Sequence, residues 1–161
     1  MEEYFSRVVS GFMFSIIFLS VVATYLLFAS YNLDTHIDSE TVKFINKCAS
    51  TGQVDPALYY AYASDISKVG NYTIRITHES INQYSSSTDN YVTATVSYTQ
   101  DEILDYMYGE SENKAYSLKA GDLLTIKVIK NSSDLTTLFE ALTMQTPSTV
   151  ISEHSVYVGE S

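Results

Sequence analysis

From Val8 to Leu33 the chain reads VVSGFMFSIIFLSVVATYLLFASYNL and carries no charged residue. Between Val8 and Ala29 only Ser10, Gly11, Ser15, Ser20 and Thr24 are neither apolar nor aromatic. A helix rises about 1.5 Å per residue, so the stretch spans roughly 30 Å or more, the thickness of a bilayer's hydrocarbon core. Apolar side chains would lie all round it, leaving no polar stripe for a surface helix of a globular domain. The sequence therefore predicts a membrane-spanning or similarly buried helix. Two other readings fit less well. A cleaved secretory signal has a basic start and an apolar core of about 7–15 residues; this stretch is longer and follows the acidic start MEEYFSR. The central helix of a soluble α-fold would need more apolar cover than the polar remainder of the chain offers.

Beyond the helix roughly 125 residues remain, enough for one domain with its own core. The net charge is −10, with 9 Lys and Arg against 19 Asp and Glu. Phosphate neutralisation needs clustered Lys and Arg, so nucleic acid is not an expected partner, nor is anionic lipid as a docking surface for the domain. Tyrosine is abundant at 14 residues and tryptophan absent; tyrosine's amphipathic ring suits half-wet subunit contacts, and edge strands use it as well. Cys48 is the only cysteine, which excludes an intrachain disulfide and a Cys-based zinc site. It reads as a small apolar residue on a helix face, with intermolecular pairing the minor alternative. Lys and Arg counts at the two ends of the apolar stretch do not decide its orientation. A very short N-terminus before a large C-terminal domain is the form of a signal anchor, which puts that domain outside.

Along the chain, residues 1–52 read as the hydrophobic helix and its extension, and residues 53–161 as an α+β domain. The acids Glu2 and Glu3 suit a helix start. Gly11 and Ser15 are four apart, as are Ser20 and Thr24, and at 100° per residue the two pairs face nearly opposite sides. Small residues at that spacing let helices approach closely in lipid; alternatively, the hydroxyls bond back to their own helix. Ser39 to Ala49 reads as helix with Gly52 past its end, either continuing the apolar helix as one rod or following a kink near Asn32. Asp55-Pro56 opens another, Asp as cap and Pro at the first position, with Leu58, Tyr62, Ile66 and Val69 on one face and Gly70 closing it. The period then becomes two. Tyr72 to Glu79 and Tyr91 to Tyr98 read as strands flanking a polar loop at Asn82 to Asn90. Asp101-Glu102 opens a short helix that Gly109 ends, or the segment stays irregular. Tyr116 to Leu118 is a short strand, Leu123 to Lys130 the clearest strand, and Thr149 to Val158 the last. Between those two, Ser133 caps a helix with Leu135, Leu138, Phe139 and Leu142 on one face, and Pro147 blocks its extension. The expected fold is α+β, an antiparallel sheet of about four strands with helices packed on it.

No motif for phosphate, dinucleotide, zinc or serine-hydrolase chemistry is present. His78 and His154 share strand faces with Ile76 and Val156, as satisfied, half-buried imidazoles do. Asp34, His36, Asp38 and Glu40 would converge on a cation only if extended and curled; on a helix they make a solvated acidic collar. Asn71-Tyr72-Thr73 and Asn131-Ser132-Ser133 match the N-glycosylation acceptor pattern. No catalytic constellation is legible, so neither an enzyme nor a cofactor is expected.

A short head, a long apolar helix and a small α+β domain without an active site resemble type IV pilin-like proteins, closest to Tad-type (TadE-like) pseudopilins of Gram-positive bacteria. The resemblance rests on Glu3-Tyr4 before the helix, on NYTIRITHES at 71–80 and on AGDLLTIKVIKNSS at 120–133. It implies a subunit of a surface filament or its assembly system, with copies of itself and related subunits as partners and the helices packed in the filament core. It also implies that an N-terminal acid pairs with a neighbouring subunit's α-amino group, Glu3 first and Glu2 second. In the family a basic leader ending in Gly precedes the mature chain, whose fifth residue is usually the glutamate. Here Met1 directly precedes the acids and position 5 is Phe5. Either a leader lies outside this sequence or the protein is an unprocessed, singly anchored relative. Such a singly anchored protein, with an extracytoplasmic domain that binds a ligand or partner, is the alternative reading.

Overall fold

The computed structural model describes residues 2–85, 91–109, 113–131 and 150–159. Its elements are α1 (Glu2–Thr51), β1 (Gln53–Val54), α2 (Pro56–Val69), β2 (Tyr72–Ser85), β3 (Tyr91–Tyr98), α3 (Gln100–Tyr108), β4 (Tyr116–Ser117), β5 (Leu123–Lys130) and β6 (Val150–Tyr157). By packing, the chain forms two compact units, Met1–Thr35 and His36–Ser161.

α1 is helical through Asn32 and on to Thr51. Its last turns belong to the second unit, because Ile37, Thr41, Phe44, Ile45 and Cys48 recur at helical spacing and are buried. The expected division after residue 52 follows the helix end, whereas packing divides the chain seventeen residues earlier, at Thr35. Gly52 ends the helix in the left-handed conformation, φ 64°, where a side chain would be strained. Asp55 caps α2 as expected: its Oδ1 accepts from the amides of Ala57 at 2.8 Å and Leu58 at 3.0 Å.

The domain is α+β. Its main sheet has the order β3-β2-β5-β6 with every pair antiparallel, and β1 pairs with β4 in a separate two-stranded ladder. Alternation puts Ile76, His78 and Ser80 of β2 and Leu124, Ile126 and Val128 of β5 on the buried face. These apolar residues join one cluster with the buried stripe of α1, with Tyr62 and Ile66 of α2 and with Ile103 and Met107 of α3. The opposite face carries Arg75, Thr95, Ser97 and Glu153, which are exposed, as a one-sided antiparallel sheet allows.

Three expectations are corrected or bounded. Asn82 to Ser85 is strand, not loop: it pairs with Tyr91 to Ala94 of β3, so ladder hydrogen bonding outweighs the polar composition. α3 opens at Thr99 rather than at Asp101, because the Glu102 carboxylate reaches back to the Thr99 amide at 2.7 Å and hydroxyl at 2.9 Å. The helix expected from Ser133, with Leu135, Leu138, Phe139, Leu142 and Pro147, lies outside the described residues.

Candidate functional site

The first place where function can reside is the N-terminal unit. α1 is long and apolar enough to cross a membrane, and none of its most apolar window is buried within the chain. Phe12, Phe14, Phe18, Leu19 and Phe28 are 62–73% exposed. In water each such side chain forgoes roughly 1.5–3 kcal/mol of burial. Tyr4 and Tyr25 are also exposed.

Among the described residues nothing packs against Gly11. A Cβ on Gly11 would meet nothing within 4 Å. Ser15 donates to the Gly11 carbonyl at 2.9 Å, Ser20 to Ile17 at 2.8 Å and Thr24 to Ser20 at 2.8 Å. Their hydroxyls are thus satisfied within the helix, which removes the cost of placing them in hydrocarbon. Small size remains available for close approach from outside. Glu2 and Glu3 fall in the first turn of α1.

The second place is a buried polar network in the domain. His78, 4% exposed, points from the sheet into the apolar cluster. Its Nε2 lies 2.8 Å from Asp122 Oδ2 and its Nδ1 2.8 Å from the Tyr116 hydroxyl. The Tyr98 ring stacks on the imidazole at 5.2 Å and 14°. Three local features deliver these partners. The β1–β4 ladder seats Tyr116 opposite Val54. Gly121, φ 87°, turns the chain before Asp122. The Lys119 amide donates to the Asp122 carboxylate at 2.7 Å. Burial alone would raise the Asp122 pKa, but the Lys119 amide, the Ser80 hydroxyl and His78 outweigh it and hold the carboxyl below its ordinary range. Burial pushes the Tyr116 phenol up to about 12. An aspartate, an imidazole and a phenol in series look like a proton relay, yet the phenol at its end is held protonated rather than activated. The network satisfies buried polar atoms and fixes register.

A third cluster brings a serine, a histidine and an aspartate together in the wrong order for catalysis. Asp38 Oδ1 accepts from Ser152 at 2.8 Å and from His154 Nε2 at 2.7 Å. A serine nucleophile needs its hydroxyl on the histidine base; here both donors share one carboxylate oxygen, and their hydrogen bonds, His154 first, lower the Asp38 pKa. The contact ties α1 to the edge strand β6.

Among the described residues no three His, Cys, Asp or Glu side chains converge as a metal site. The acidic row lies on helix: Asp38 serves β6, and Glu40 pairs with Lys43 at 2.6 Å. Cys48 is fully buried, and its thiol is pushed up to about 12. The two glycosylation triplets meet at one end of the sheet, where Asn131 Nδ2 donates to Asn71 Oδ1 at 3.0 Å and Thr73 donates to Asn131 Oδ1 at 2.9 Å. Sequence reasoning found the histidines but missed Asp122, Tyr116 and Asp38 as their partners. The one available signal was a histidine in phase with apolar strand residues, which demands a partner without naming it.

No family model, curated protein or solved structure matches the chain.

Proposed function

We propose that the protein is a structural subunit, major or minor, of a pilus-like surface filament or of its assembly system. The apolar half of α1 waits in the membrane and then packs with copies of itself and related subunits in a filament core, while the α+β domain forms the outer surface. The observation that carries the reading is Gly11 with its one-turn neighbour Ser15: nothing among the described residues needs a glycine there, and a helix that serves only as an anchor gains nothing from one. The polar clusters of the domain are arranged for packing, and the reading needs no catalysis.

The second reading is a singly anchored membrane protein whose extracytoplasmic domain binds a ligand or partner. The back-bonded hydroxyls of Ser15, Ser20 and Thr24 favour it, since a solitary helix in lipid needs that satisfaction. One variant separates the two. Replacing Gly11 and Ser15 together by Leu is expected to abolish filament assembly while membrane insertion persists; assembly at the normal level would contradict the filament reading. Glu3→Ala is expected to impair incorporation while export continues, and normal filaments from that variant would remove Glu3, and the Glu2 alternative behind it, from the proposed role.

A further inference from the structure

We infer that the two edges of the main sheet pair with each other between copies, β6 of one copy adding antiparallel to β3 of the next, an inference that rests on the filament reading and gives it an outer contact. The backbone phase fixes what each edge presents. The Val158 amide donates to the Asp122 carbonyl at 2.9 Å, in phase with the Leu124–Val156 and Ile126–His154 pairs. Even-numbered residues of β6 therefore bond β5, and the N–H and C=O of Glu153, Ser155 and Tyr157 point away from the sheet. At the other edge the Asn131 amide donates to the Asn71 carbonyl at 3.0 Å. Odd residues of β2 thus bond β5 and even ones bond β3, so the N–H and C=O of Thr93, Thr95 and Ser97 point outward. None of these residues has a further backbone partner among the described residues. Each edge carries three donors and three acceptors in the alternation that an extended strand satisfies.

β3 lacks the devices that keep an edge from pairing, which are Lys, Pro, a bulge or an inward-pointing charge. It reads YVTATVSY, with no charge, no Pro and no Gly, and its ladder with β2 runs without a register shift. Thr95 and Ser97 are exposed, as are Glu153, Ser155 and Tyr157 on the other edge. The charge of Glu153 is matched within its own sheet by Lys127 at 2.9 Å, and His154 is held by Asp38 at 2.7 Å. β6 therefore holds no unmatched charge against an uncharged strand.

Topology and register select β3 as the strand that β6 takes. An antiparallel sheet of four strands runs its two edges in opposite directions, so β6 meets β3 of another copy antiparallel with both copies in the same sense. Such a contact is heterologous and repeats into a ring or an open helical array, whereas β6 on β6, or β3 on β3, pairs about a two-fold axis and stops at the dimer. Thr77, Thr125 and Ser155 stand opposite one another across β2, β5 and β6, and the Thr125 and Ser155 hydroxyls lie 2.8 Å apart. Thr95 of the next copy opposite Ser155 continues this hydroxyl row and sets Ser97 opposite Glu153, pairs of the kind that stabilise neighbouring strands.

The test coproduces two full-length variants, Ser155→Cys and Thr95→Cys, and oxidises the membranes and sheared material of the producing cells with copper phenanthroline. In a hydrogen-bonded antiparallel pair the Cα atoms lie about 5.5 Å apart, inside disulfide range. Cys48 is buried, with its thiol pushed up to about 12, and stays out of the reaction. The expected product is the mixed disulfide, in excess over the homodimer of either variant. Ser97→Pro added to the Thr95→Cys copy removes a donor that the domain's own ladder does not use and is expected to cut the product about tenfold, with the thermal unfolding midpoint held. Homodimers in excess, a mixed product that ignores Ser97→Pro, or no product at all overturns the inference. Filaments that assemble without the mixed disulfide would sink the inference and leave the filament reading intact; the mixed disulfide without filaments would do the reverse.

Discussion

One helix meets two different environments in this protein. In α1 between Val8 and Phe28 the large side chains are exposed, and the serine and threonine hydroxyls return to their own backbone. Between Ile37 and Cys48 the same helix buries a stripe against the sheet, and Thr41, besides bonding back to Ile37, reaches the Tyr62 hydroxyl at 2.9 Å. The second half is explained by its own chain and the first is not. The sequence keeps 22 residues almost wholly apolar on every side, from 8 to 29, and among the described residues nothing stands where a Cβ on Gly11 would lie.

The sharpest way to break that comparison is truncation on each side of it. Ile126→Ala removes a fully buried side chain from the centre of β5 and is expected to cost about 2–5 kcal/mol of domain stability. Phe18→Ala is expected to leave that stability unchanged. Thermal unfolding of both variants in detergent, followed by near-UV circular dichroism, checks the pair; equal losses would mean that the first half of α1 is part of the domain's core. Next comes the polar network. Asp122→Ala leaves the buried His78 without a partner and is expected to cost about 2–3 kcal/mol, with Tyr116→Phe costing about 1 kcal/mol. Denaturant midpoints measure both, and a silent Asp122→Ala would show that the network holds nothing together.

The pH dependence is smaller and has two edges. Burial holds the Tyr62 and Tyr116 phenols at about 12 against an ordinary 10.0. The folded state therefore keeps protons that the unfolded chain releases. Their contribution is complete below pH 10 and fades as the pH rises toward 12. Asp38 and Asp122 lie below their ordinary 3.8, so their contribution is complete above about pH 4 and is lost as the pH falls through their lowered values. Cys48, raised by burial from 9.0 to about 12, widens the alkaline edge down to about pH 9, and Tyr116→Phe should blunt that edge. Smallest is Asp38→Asn. The Asp38–His154 pair is 48% and 34% exposed, so screening holds the loss below about 1 kcal/mol, read as a shift in the same unfolding midpoints.

Local chemistry was legible in the sequence where one element carries its own punctuation. Asp55-Pro56 and Gly70 bound α2, and the alternation of LLTIKVIK gives β5 to the residue. Signals that depend on a distant strand were not legible. Asn82 to Ser85 look like loop until β3 pairs with them. Two-residue β1 exists only because β4 lies beside it. The Thr99–Glu102 box stands in the sequence as T-x-x-E, overlapping the acidic pair Asp101-Glu102 that also suits a helix start. The histidine partners were hidden for a different reason: Asp122 is 44 residues from His78, and Asp38 is 116 from His154. Proximity of that kind is made by topology, and no periodicity announces it. The packing boundary at Thr35 was masked by the continuity of α1, because helix propensity does not register a change of surroundings.

The measurement that most directly tests whether the first half of α1 is made for partners is negative-stain electron microscopy of material sheared from producing cells, labelled with an antibody to the α+β domain. The account predicts labelled filaments, lost in the Gly11→Leu, Ser15→Leu variant while the protein stays in the membrane fraction. Label confined to membranes, with no filament in the unaltered protein, would contradict it and leave α1 an anchor alone.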